Sequence, residues 1–494
     1  MIQNAADKRK WLNILGAALL FAAVVEQMFL STTTDRSLFI NFVYIFGIIA
    51  QFAFIFYCGF AEKKLSFALK TIIAFFVWLV LTRPLLGDVQ LIASIPTLVP
   101  TALNVGLICY AASLDDGEGK KLFKLIATLI CVFYFYVCIG LLYAAVTRND
   151  ISLPPFIVIK MKEEGGLHYV DLMSSHRNTS AQWYCACFCI AACLAALSEK
   201  KAFKVLCGAM MAVFFLTVAI SLSRISMIAL AIAIGMMAAL ALIKHFPNKK
   251  TSVHVALALA AVLVVTPVIY KSYSLVGSAV EKLSLAVTPI EQTEETVAPS
   301  GDVEADESIA APPTSSKVTI EDGDAMFTET RDKENTMMLG GRVLVWNSIY
   351  TLLKNEPSRM RFGGLTSDYI AEINKIISQT DPTAVVQHTH NYLIESLFLT
   401  GIPGLLIMLV FSAILLVRML KVFFSPRADM YHKLLVIPLS AILVKNMGEA
   451  TLVWHYSIAN DITNYIFFLV AGLFLAYSYE LFPEKRISLK KNKN

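Results

Sequence analysis

Four side chains of this 494-residue chain have the types and settings needed to handle a phosphorylated substrate. Arg224 closes Ser221-Leu-Ser223-Arg224, and Arg342 follows Gly340-Gly341 with Trp346 four residues on. Arg177 lies in His176-Arg177-Asn178-Thr179, and His390 in His388-Thr-His390-Asn391. An arginine cannot lose its proton, and its planar fork binds two phosphate oxygens at once. The same fork stabilises negative charge growing on a diphosphate leaving group. His390-Asn391 heads an apolar helix, whose N-terminus carries free N–H groups and partial positive charge. That setting favours a neutral imidazole beside a bound anion, the form a general base needs. The chemistry suggested is transfer of a sugar chain from a lipid diphosphate to an acceptor hydroxyl. Each residue also has a plainer reading. Arg224 serves equally as an anchor to lipid headgroups, His390 as a helix cap and Arg177 as an ordinary loop residue. Convergence on one side of the membrane, near one depth, favours a site, with Asn178, Ser223, Trp346 and Asn391 beside it. His388 is an alternative to His390.

The elements that must position these residues are membrane helices. The chain is 57% hydrophobic and 16% charged, where a soluble domain carries about 25% charge. The apolar residues are bunched into runs, which excludes a set of soluble domains, a collagen, a disulfide scaffold and a disordered chain. Twelve runs have the length of about 20 residues that a spanning helix needs. They are 11–30, 38–60, 65–82, 91–113, 122–147, 180–198, 203–222, 225–243, 252–270, 402–420, 434–454 and 462–481. The fold class expected is an all-α polytopic membrane protein. Most of the 42 Lys and Arg fall in one alternating set of loops and in the two termini, so both termini are expected in the cytoplasm. The first span has no small-residue cleavage site behind it and reads as a retained anchor. The nine cysteines all fall in spans. Cys185, Cys189 and Cys193 share a helical face and read as packing residues rather than a zinc site.

The domain plan is therefore spans 1–9 over 1–270, one large outer loop over 271–391, and spans 10–12 with a basic tail over 392–494. Within the loop, 289–336 is an acidic insert. Its stretch 291–334 holds thirteen acidic residues against Lys317, Arg331 and Lys333, with Pro and Ser, and reads as disordered. Residues 337–391 have helical apolar spacing and read as a lid over the outer mouth. The helix that follows Asn391 is interrupted at Gly401-Ile-Pro403-Gly404. Charges inside spans are costly and need a reason. Lys445 and Glu449 either pair with each other across one helical turn or line a polar cavity open to the outside.

At these residues the sequence resembles the O-antigen ligase and O-antigen polymerase superfamily. The resemblance rests on Ser-Leu-Ser-Arg224 at the head of a span, Gly-Gly-Arg342 with Trp346, and His390-Asn391 followed by Gly401 and Pro403-Gly404. Asn178 and the layout of twelve spans with one large loop before the last three add to it. The acidic insert departs from the family pattern. The resemblance implies a multi-span, GT-C-like, metal-independent inverting glycosyltransferase without a cofactor. Its donor would be an undecaprenyl-diphosphate-linked oligosaccharide and its acceptor a glycan or lipid-linked glycan. His390 would activate the acceptor hydroxyl, while Arg224 and Arg342 hold the diphosphate. It implies a cytoplasmic-membrane protein acting at its outer, periplasmic side in surface-polysaccharide or lipopolysaccharide assembly. Ligase and polymerase both remain open, with a slight lean to polymerase because nothing marks a special acceptor.

Other machinery is missing from the sequence. There is no GxxxxGK[ST] for a nucleotide-driven pump, and nothing calls for nucleic acid. Asp115-Asp116 has the look of a metal-binding pair, but it falls on the cytoplasmic side. A transporter or flippase for the same lipid-linked glycan is the alternative; it predicts internal repeats and polar residues at mid-membrane, and no repeat is visible. A sensor reading has only the acidic insert behind it.

Overall fold

The computed structural model describes residues 14–18, 20–25, 28, 66–82, 91–154, 157–164, 167–173, 177–287, 340–355, 361–363, 373–377, 389–448, 452 and 462–483. The long helices among them are α1 (Phe67–Leu81), α2 (Leu91–Ser113), α3 (Asp116–Thr147), α4 (Arg177–Leu197), α5 (Lys201–Ile220) and α6 (Arg224–His245). They continue with α7 (Thr251–Val287), α8 (Gly340–Asn355), α9 (Tyr392–Phe424), α10 (Met430–Asn446) and α11 (Ile462–Leu481). Seven of the described helices, α3 to α7, α9 and α11, are long and apolar enough to cross a membrane. The chain is thus a helical polytopic membrane protein. Seven of the twelve expected spans coincide with these helices, and 65–82 coincides with the shorter apolar α1. The expected span 38–60 lies outside the described residues.

α4 forms the centre. Ser180 to Leu194 are buried on every side of it, as expected of a helix that packs against neighbours all round. It touches α3, α5, α6, α10 and α11. Trp183 and Tyr184 meet Tyr134 of α3 with ring centroids 5.7 and 6.3 Å apart. In lipid, helices gain little from hydrophobicity and rely on close contact and polar bonds. Gln182 Nε2 donates to Thr463 Oγ1 at 2.8 Å, tying α4 to α11. Gly472 lets α11 press on α2, where a Cβ would come 2.5 Å from the Ile108 carbonyl. α7 is the opposite case: Leu259, Leu263, Val264 and Val268 are all more than half exposed, the surface a lipid-facing helix presents.

Two features depart from the sequence reading. The connection between α3 and α4 holds a three-stranded antiparallel sheet, β1 (Ile151–Leu153), β2 (Ile157–Glu164) and β3 (Leu167–Leu172). Ile159 stands opposite both Ile151 and Leu172. Ile157, Ile159, Val170 and Leu172 are buried and pack the sheet on α3, so this part of the protein is not all-α. α7 also runs on to Val287, 17 residues past the expected boundary at 270.

At the end of the bundle where α3 and α10 begin, a charged cluster joins the helices. Asp115 caps α3 by accepting from Glu118 N at 2.7 Å. Asp116 pairs with Lys120 at 2.7 Å and with His432 Nε2 at 3.1 Å. Asp115-Asp116 is thus a cap and an ion pair. Asp429 caps α10 and contacts His432 Nδ1 at 2.7 Å and Lys120 at 3.3 Å. The His432 ring lies flat on Tyr477, centroids 3.5 Å apart. Partial burial alone would raise the Asp429 carboxyl, but hydrogen bonds from His432 and the charges of His432 and Lys120 outweigh it and hold it well below the usual carboxylate range.

Candidate functional site

The opposite end of the bundle is where the singled-out residues gather. Asn391 is the N-cap of α9, with extended backbone. Its Oδ1 accepts from Leu393 N at 2.9 Å and Ile394 N at 3.2 Å, satisfying two of the N–H groups a helix start leaves open. Its Nδ2 donates to the Met447 carbonyl at 3.0 Å, so the cap of α9 is tied to the end of α10. His390 has φ +56°, a left-handed conformation that costs a non-glycine residue about 1 kcal/mol or more. Its neighbours hold it there. Thr389 N donates to Glu395 Oε2 at 2.9 Å, and Thr389 Oγ1 to the Asn391 carbonyl at 3.0 Å. Trp346 Nε1 donates to the Thr389 carbonyl at 2.8 Å. Thr389 and Glu395 are each 1% exposed, while His390 between these anchors is only partly buried.

Helix α8 delivers Arg342 and Trp346 one turn apart, on neighbouring positions, while Val345, Ile349 and Leu353 bury its other contacts. Gly448, just past α10, makes room for what arrives. A Cβ there would sit 3.4 Å from Arg342 Nη1 and 2.9 Å from Ile225 Cγ1. Ile225 is the residue after Arg224, the first of α6. The turn Met447-Gly448 is therefore the meeting point: Asn391 bonds its first residue, while Arg342 and the start of α6 flank its second.

Arg224 is partly buried. The chain reaches it through Leu222 at φ +54°, which turns α5 sharply into α6. Ser223 Oγ donates to Asn178 Oδ1 at 2.9 Å and lies 3.1 Å from Ser226 Oγ. That bond draws the start of α4 to the start of α6. Arg177 is 9% exposed and stands over the Tyr169 ring at 5.3 Å, so it faces the small sheet. His388 and Glu449 lie outside the described residues; Lys445 is 1% exposed, in the last turn of α10.

A second crossing steadies α9. Gly401 has φ +67° and ψ −170° and breaks the helix. The backbone of Arg361–Gly363 lies directly on it: a Cβ on Gly401 would come 2.5 Å from the Arg361 carbonyl, and one on Gly363 would strike the Leu399–Thr400 backbone. Trp78 Nε1 takes the Thr400 carbonyl at 2.7 Å.

The structure thus groups Arg224, Arg342, Trp346, His390 and Asn391 around one turn, with Asn178 and Ser223 adjoining. Sequence reasoning missed Thr389, Glu395, Met447 and Gly448. An acid in the first turn after an Asn cap and a glycine just past a helix end are signals that mark Glu395 and Gly448. Nothing local marks Met447, which acts through its carbonyl, or Thr389, which acts through its backbone and its hydroxyl. Arg224 and Arg342 are permanent cations and His390 is a partly exposed imidazole, residue types that can bind an anion and accept a proton.

Residues 209–409 match the family model described as O-antigen ligase, and this match supports the resemblance to the O-antigen ligase and polymerase superfamily. The match includes Arg224, Arg342, His390 and Gly401. No curated protein matches the sequence. Family and helical architecture together describe a membrane enzyme that joins glycans.

Proposed function

We propose that the protein transfers a glycan from undecaprenyl diphosphate to an acceptor hydroxyl at the outer face of the cytoplasmic membrane, without a metal ion. In this reading the acceptor oxygen attacks the anomeric carbon, and the bond from that carbon to the diphosphate oxygen breaks. His390 takes the hydroxyl proton as the new bond forms. Arg224 and Arg342 bind the diphosphate and stabilise the charge that grows on it as it leaves. Attack from the side opposite the leaving group inverts the anomeric centre. Arg177, Asn178, Ser223, Trp346, His388 and Asn391 would border the substrates, Asn391 and Trp346 by fixing His390. Whether the acceptor is another repeat unit or a separate lipid-linked glycan divides polymerase from ligase.

The observation that supports this reading is the meeting of Arg342, the start of α6 and the Asn391 cap at Met447-Gly448. The test uses purified protein with an undecaprenyl-diphosphate oligosaccharide, with and without EDTA. Release of undecaprenyl diphosphate that survives EDTA and gives a ladder of products is the outcome for a polymerase. Release only on adding a distinct acceptor is the outcome for a ligase. His390→Ala is expected to abolish release while the protein still binds donor. Normal release from that variant would remove the base assignment, and lipid movement between leaflets without release would favour a flippase.

A further inference from the structure

The helices that build the site also build a second cavity, at their other ends. α6 begins at Arg224 and ends at His245; its 22 residues span about 33 Å. α9 runs from the Asn391 cap to Phe424, and α10 from Met430 to the Met447 turn. Where α6 and α9 end and α10 begins lies a cavity of about 170 Å³. Two lysines line it, Lys244 in the last turn of α6 and Lys433 in the first turn of α10, with His254 from α7. Lys433 is only 9% exposed, whereas Lys244 sits exposed at the rim. Among the described residues no carboxylate lines the cavity, and none pairs with either lysine. His254 is held in place, its Nε2–H donating to the Phe246 carbonyl at 2.8 Å. The remaining wall is apolar and includes Leu240, Ile243 and Phe424.

A nearly buried ammonium without a carboxylate is costly unless an anion joins it. An apolar wall beside two cations, at the end of membrane helices, fits a molecule with a phosphate and a hydrocarbon chain. We propose that this cavity binds an anionic phospholipid, its phosphate between Lys433 and Lys244 and the start of an acyl chain on Leu240, Ile243 and Phe424. The site is about a membrane thickness away from the proposed catalytic one and independent of it.

The test is thermal melting of the full-length protein, purified and stripped of lipid in a neutral detergent. Phosphatidylglycerol, phosphatidylcholine and inorganic phosphate are added separately, at equal concentration. Phosphatidylglycerol is expected to raise Tm by a few degrees, and the other two to leave it in place. The shift should disappear in Lys433→Gln and fall by more than half in Lys244→Gln. An equal shift with phosphatidylcholine, or with inorganic phosphate alone, would overturn the proposal. So would an undiminished shift in the variants. If Lys433→Gln does not fold, Lys244→Gln decides alone, since the exposed rim residue can be changed without touching the core.

Discussion

Asn391 is the point at which helix stability and site geometry can be pulled apart. Its Oδ1 accepts two α9 amides and its Nδ2 holds the Met447 carbonyl. Asn391→Ala removes both functions. Loss of the cap costs about 1 kcal/mol and loss of the buried bond to Met447 about the same. The expected drop of about 2 kcal/mol lowers Tm by several degrees. Asn391→Asp keeps the two acceptor bonds but sets a carboxylate oxygen against the Met447 carbonyl. Its helix should stay capped, so Tm falls less than in the alanine variant. Yet the repulsion pushes the Met447-Gly448 turn, and Arg342 with it, away from His390. A displacement of about 1 Å is worth about 100-fold in rate. Single-turnover release of undecaprenyl diphosphate, measured beside melting, separates the two effects. Wild-type turnover in Asn391→Asp would refute the view that this bond positions the site, and wild-type melting of Asn391→Ala would refute the cap's contribution.

Other perturbations have equally definite outcomes. Arg224→Lys and Arg342→Lys should each slow transfer at least about tenfold, because an ammonium cannot grip two phosphate oxygens in one plane; full rates in both would leave the diphosphate clamp unsupported. Gly401→Ala forces a Cβ against the Arg361 carbonyl in a backbone region nearly closed to other residues, at a cost of about 3 kcal/mol. Trypsin should then cut after Arg361 sooner than in the wild type, and an unchanged digestion rate would argue against the crossing. Asp429 titrates lower in the folded protein than in the unfolded chain, so the stability it contributes is present above about pH 4 and lost as pH falls through the folded value. The Tm deficit of Asp429→Asn should be seen at pH 7 and shrink below about pH 4; a deficit that stays constant down to pH 3 would contradict this.

How much of this could be read from the sequence depended on how local the cause is. The break between α5 and α6 shows in Ser221-Leu-Ser223 because polar residues interrupt two apolar runs. The start of α9 shows at Asn391, and its kink at Gly401, because caps and left-handed positions demand particular residue types. The sheet did not show. Its strands lie between membrane helices, and its alternation, Ile157 and Ile159 inward with Val158 and Lys160 less buried, spans too few residues to compete with the reading of a connecting loop. Gly165-Gly166 between β2 and β3 was the available hairpin signal. The extension of α7 to Val287 was hidden because hydropathy reports the membrane, and the helix continues past the apolar run. In the site, the arginines and the histidine were legible as residue types, but not the turn on which they meet. Met447 contributes a carbonyl, which leaves no chemical signature in the sequence, and Gly448 signals a helix end but not what packs against it.

The Gly363–Gly401 crossing has a consequence for how such a chain diverges. Arg361–Gly363 is fixed on the backbone of α9, and Thr389 is fixed by Trp346 and Glu395. The stretch between residues 363 and 389 is also held in the core by Ile373 and Ile377, each 1% exposed, whereas the stretch between Val287 and Gly340 is held at its two ends by α7 and α8. Closing a loop between set points costs only about 0.6 kcal/mol more for each doubling of its length. Insertions, deletions and wholesale replacement between residues 287 and 340 are cheap, whereas a single methyl group at Gly363 or Gly401 is not. Related sequences are expected to drift freely between residues 287 and 340 while retaining Gly363 and Gly401, so that new specificities can be tried on an unchanged frame.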